Sequence, residues 1–190
     1  SIDDHQLKPE DFETEGFLHK DSAEVMMKAL YGARLVRYEL LWPICSSARA
    51  VTRWTRACDK RLHRLMCYIH HTPDHSLESF VGDKVEHCHP VLYSDADLAG
   101  DTITAKSTSG LYLAIVGPNI FAPVTASCKT QTCVSHSSTE SEIVAAEQAR
   151  RTEGLQALAF WELATELLRT ARPDEKVETP CATPNAIDMD

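Results

Sequence analysis

Apolar positions fall first at helical spacing, then in short extended runs, then at helical spacing again. Residues 1–20 are polar and acidic, broken by Pro9 and Gly16, and read as an arm. Val25, Met26, Ala29, Leu30, Ala33 and Val36 then recur at the steps of an amphipathic helix, which Asp21 or Ser22 can cap. That helix ends near Tyr38 or bends on to Trp42, and Pro43 resets the chain. Val51, Trp54, Cys58, Leu62, Leu65 and Ile69 give a second, stronger helical stripe. Residues 72–89 carry the turn signals Thr72-Pro73-Asp74 and Gly82-Asp83 and read as a linker.

From Pro90 the pattern becomes β-rich. It predicts strands over 90–95, 110–117 and 119–127, with Gly117-Pro118-Asn119 as a hairpin turn and a short extended piece at 132–134. Ser138 or Thr139 then caps a helix that runs to about Thr170, with Glu142 near its third position as in a capping box. Ile143, Ala146, Ala149, Leu155, Leu158, Trp161 and Leu168 form its apolar stripe. Pro173, Pro180 and Pro184 open a loop before residues 186–190, which can start a strand. The fold class is therefore α/β: a three-stranded antiparallel meander plus a long helix, preceded by a helical segment.

Charge divides unevenly along this frame. The net charge of −9 is made of −4 over residues 1–20, +2 over 21–90 and −7 over 91–190. A stand-alone nucleic-acid binder normally carries a basic surplus, so this balance argues against one. The basic surplus is local. Arg49, Arg53, Arg56, Lys60 and Arg64 lie at helical steps opposite the apolar stripe, offset by roughly 200°. Such a row is either a solvated face or a line of cations for phosphates or an acidic protein. Seven cysteines at unrelated spacings suit a reducing compartment. His70, His71, His75 and His87-Cys88-His89 match no standard zinc spacing. The longest apolar run, 111–116, is too short for a membrane span.

The chemistry lies in four short segments. They are Ser94-Asp95-Ala96-Asp97-Leu98-Ala99-Gly100-Asp101, Lys106-Ser107-Thr108-Ser109-Gly110, Ser127-Cys128-Lys129-Thr130-Gln131, and the stretch from Ser137 through Glu140 and Glu142 to Ala146. In content and order they resemble the ribonuclease H domain of copia-type retrotransposon polyproteins. Leu30-Tyr31-Gly32 through Ile69 is similar to the helical connection that precedes that domain. The resemblance spans roughly residues 20–170. Leu98 stands where the family has an aromatic, and Thr130 where it has a second Lys.

That family cuts RNA in an RNA–DNA hybrid with two Mg²⁺ about 4 Å apart, held by carboxylates. The resemblance implies Asp95, Glu142 and Asp190 as the ligands, with Asp188 competing for the third place. It also implies a domain over 90–190 that is C-terminally incomplete, its last strand, helices and fourth acid falling beyond Asp190. The sequence holds no Tyr-x-Asp-Asp motif for polymerase activity. Two expectations follow. One is an active, Mg²⁺-dependent ribonuclease H. The other, favoured by the acidic balance and the short C-terminus, is a non-catalytic descendant serving other protein subunits as a structural or interaction partner. Residue by residue, plainer roles are also open: Glu140 and Glu142 favour a helix N-terminus, and Asp95 and Asp97 form a turn before Gly100.

Overall fold

A computed structural model describes residues 7–101 and 104–171. Helices α1 (Pro9–Glu13), α2 (Ser22–Val36), α3 (Leu41–Ala48) and α4 (Arg56–His71) precede strands β1 (His89–Asp97), β2 (Thr108–Val116) and β3 (Phe121–Thr130). Helices α5 (Ser138–Ala149) and α6 (Leu155–Ala171) follow, joined by a π-turn at Arg150–Gly154. The protein is mixed α/β, with a three-stranded antiparallel sheet in the order β1-β2-β3 and a long C-terminal helical segment. Among the described residues no helix is long and apolar enough to cross a membrane.

The sheet lies between two helical layers. Register pairs Tyr93 with Tyr112 and Tyr112 with Ala126, so these share one face. That face meets the helical segment. Tyr38 packs edge-on to Tyr112, and Ala126 joins the core built by Met26, Leu41, Ile44, Trp54, Leu62 and Leu65. Each large side chain buried there contributes about 1.5–3 kcal/mol. The opposite face is covered by α5, through the small residues Ser141, Ala145 and Ala149. Small side chains every four residues let this helix approach the strands closely. The expected stripe on this helix is therefore turned outward at Ile143, Leu155, Leu158 and Leu168, which are exposed. Trp161 packs instead against a small cluster of Cys88, Ile120 and Ala122.

The strands match the sequence reading to within about three residues, but several boundaries differ for physical reasons. Pro43 sits inside the first turn of α3, where its missing N–H has no helical partner to lose. No strand forms at 132–134. The cap of α5 is Ser137, whose Oγ accepts the Glu140 N–H at 3.1 Å, while the Glu140 carboxylate accepts the His136 N–H at 2.7 Å. The box is thus closed by Glu140, and Glu142 lies free of that task. The second helical pattern is interrupted. Val51–Arg53 is a 3-10 turn, Trp54 and Thr55 are extended, and α4 starts only at Arg56.

The interruption comes from the N-terminal segment, which docks there. Gly16 N–H donates to the Trp54 carbonyl at 3.0 Å, and Arg56 N–H to the Thr14 carbonyl at 2.9 Å. A Cβ at Gly16 would come within 2.6 Å of the Trp54 ring and 2.7 Å of the Thr55 oxygen, so only glycine permits this approach. The Asp59 carboxylate accepts from the Phe17 and Leu18 amides and, at 2.7 Å, from the Trp54 indole N–H. Asp11 pairs with Lys60 at 2.5 Å. Asp11 of the arm thereby answers Lys60 of the α4 row within the same molecule.

This contact predicts a pH signature. The Lys60 hydrogen bond is the chief cause holding the Asp11 carboxyl below its ordinary value of 3.8. A lowered folded-state value means the contribution is complete above 3.8 and lost as pH falls through the lowered value. Asp11→Asn should therefore lower the urea midpoint slightly at neutral pH, and the two proteins should converge in strong acid. A difference that persists unchanged into acid would rule out the ion pair as its source.

Candidate functional site

The four motif segments, far apart in sequence, meet in one buried polar network. Ser107, fully buried, accepts the Ala99 N–H on its Oγ at 3.2 Å. Its carbonyl accepts the Gln131 N–H at 2.8 Å. The Gln131 side chain, 2% exposed, donates to Ser109 Oγ at 3.0 Å and to the Ser141 carbonyl at 2.9 Å, and accepts from Ser135 Oγ at 3.2 Å. The Gln131 amide thus has partners on both its oxygen and its nitrogen, which favours a rigid network, while the buried Thr108 Oγ1 between Ser107 and Ser109 has no partner among the described residues. It ties the loop after β1, the start of β2, the end of β3 and the first turn of α5 into one unit.

Strain is held at the same place. Ala99 and Ala105 have φ of 52° and 53°, the left-handed region that costs an alanine roughly 1–2 kcal/mol. The loop they flank is closed by the Asp101 N–H to the Lys106 carbonyl at 3.1 Å and by Ala105 N–H to the Asp101 carbonyl at 2.8 Å. A Cβ at Gly100 would fall 2.0 Å from Asp97 Oδ2, so the Asp97 carboxylate lies directly on the glycine. Asp97 therefore shapes the turn before Gly100, as the sequence suggested.

Asp95 is exposed near the end of β1, opposite Gly110, and its Oδ1 accepts the Ala96 N–H at 2.9 Å. Strand alternation sets it on the face of Tyr93 and Tyr112, away from α5. Glu142 stands half-buried on α5, one residue past Ser141 and its bond to Gln131. Asp95 and Glu142 thus stand on different layers, one on the helical-segment face of β1 and the other on α5. Two carboxylates supply the hard oxygen donors that Mg²⁺ takes. Asp190 and its competitor Asp188 lie outside the described residues. Among the described residues no group of three His, Cys, Asp or Glu side chains is arranged to hold a metal.

The five cations do not form one row. Arg56, Lys60 and Arg64 share the exposed side of α4, Arg53 ends the preceding turn, and Arg49 follows α3. Arg49 faces Asp101 at 3.8 Å and so points to the loop after β1, away from the α4 face. The even spacing of five came from a helix that the docking of the arm prevents. The serines and Gln131 of the network were visible in sequence only as landmarks, since a small hydroxyl residue gives no sign of which partner it will find. Compared with family models, curated proteins and solved structures, the chain gives no match.

Proposed function

We propose that this chain is a ribonuclease H-like module of copia-type retroelement ancestry, serving as a structural or interaction subunit of a larger assembly. The observation that carries the subunit role is the edge of β1. Nine residues of strand lie at the rim of the described sheet with no neighbouring strand on their outer side. An open edge of that length is satisfied by an added strand, and leaving it bare invites association. The ancestry is supported by the convergence of the four motif segments on Ser107, Ser109, Gln131 and Ser141, which gives a common physical purpose to residues otherwise scattered over the sequence.

The same convergence favours a second reading, Mg²⁺-dependent cleavage of the RNA strand of an RNA–DNA hybrid. In that reading bound Mg²⁺ supplies an activated water and stabilises the leaving oxygen. The chain would contribute Asp95 and Glu142, with Asp190 as third acid, and the Gln131 network would fix the strand and helix that carry the first two. One assay separates the readings: cleavage of a labelled hybrid with Mg²⁺, by the wild type and by Asp95→Asn. The subunit reading expects no cleavage above background from a sample whose folding is verified by circular dichroism. Cleavage that Asp95→Asn removes, by a factor of about 100 or more, would replace it with the nuclease reading.

A further inference from the structure

We propose that Cys45 and Cys128 form a reversible disulfide, a redox modification site that locks the helical layer onto the sheet. Cys45 lies in α3 and Cys128 in β3, 83 positions apart in sequence, and the two elements pack directly on each other. The Cys45 thiol donates to the Cys128 carbonyl at 3.3 Å, and the Cys128 side chain packs against the same helical core. Both are half-buried, so a small oxidant reaches them while bulk solvent is partly excluded.

The surroundings make the pair unequal. The neighbouring Cys128 thiol, followed by the charges of Arg34 and Arg49, outweighs burial and lowers the Cys45 thiol below its ordinary value. Its partner is pushed upward by Cys45 itself, by burial and by Asp97. Cys45 is thus the more readily ionised of the two thiols. That is the division of labour of an attacking and a resolving cysteine. None of the other described cysteines has this setting: Cys58 and Cys88 are buried, Cys133 is exposed, and Cys67 contacts His63.

The oxidant is a low-molecular-weight disulfide of the glutathione class. The Cys45 thiolate attacks one of its sulfurs, forming a mixed disulfide and releasing one thiolate. Cys128 then loses its proton to solvent and attacks the Cys45 sulfur, forming the Cys45–Cys128 bond and releasing the second thiolate. The two protein thiols give up two electrons, and one small disulfide becomes two thiols.

The test is titration of the full chain with oxidised glutathione, followed by intact mass and peptide mapping without reductant. The expected product has lost two hydrogens, carries no glutathione, and links the peptides of residues 45 and 128. Its Tm should rise by roughly 10 °C and return to the starting value on reduction. Cys128→Ser should instead keep a stable glutathione adduct at Cys45, and Cys45→Ser should leave Cys128 unmodified. A lasting adduct on the wild type, a bridge between other cysteines, or no reaction would overturn the proposal.

Discussion

Trp54→Ala should destabilise the protein by about 3–5 kcal/mol, a large share of the 5–15 kcal/mol that holds a typical domain together. Trp54 is 1% exposed and is the largest fully buried side chain described. Its ring fills the core between α2, α3 and α4, and its carbonyl and indole N–H hold Gly16 and Asp59. Truncation therefore leaves a cavity and also releases the docked N-terminal segment. Two readouts distinguish these effects. Urea unfolding gives the total, and limited proteolysis around residues 14–20 reports the segment. Trp54→Phe keeps a six-membered aromatic ring but loses the pyrrole part of the indole with its N–H to Asp59, so it should cost about 2–3 kcal/mol. If Trp54→Ala shifts stability by less than 1 kcal/mol, the core is not organised around this residue.

Gln131→Leu should cost roughly 2–4 kcal/mol, from Ser109, Ser135 and the Ser141 carbonyl left without a buried partner. The location of the damage is more informative than its size. Amide exchange should accelerate at 137–142 and around 99–109, while the amides of α2 and α4 stay protected. Uniform acceleration across the chain would mean that the network contributes only general stability and does not position the first turn of α5. Under the nuclease reading of the proposed function, the same variant should lose cleavage although it touches neither Asp95 nor Glu142.

Much of the architecture was legible because it rests on local periodicity. Short extended apolar runs marked the three strands, and Gly117-Pro118-Asn119 marked a turn that the structure closes with the Gly117 N–H to the Ile120 carbonyl at 3.0 Å. What escaped was decided by distant contacts. Trp54 fits a helical phase with Cys58 and Leu62, yet the strand-like approach of Gly16 takes it out of the helix. Ile143 and Leu155 read as core, but α5 turns its smallest residues to the sheet because only they allow close approach. In the site, Asp95 stood out by its charge and its place at a strand end. Gln131 did not, because an amide announces nothing until three partners surround it.

The π-turn between α5 and α6 carries a consequence for how this stretch tolerates changes of length. The Leu155 N–H reaches back five residues to the Arg150 carbonyl, so the turn holds one residue more than an α-helical turn would. That surplus residue sets the phase of everything after it. Losing a single codon within 150–154 would rotate α6 by about 100° relative to α5 and carry Trp161 off the Cys88, Ile120 and Ala122 cluster. Substitutions on the outward face of this helix are cheap by comparison, since the side chains there touch little. The segment is permissive in composition and strict in count.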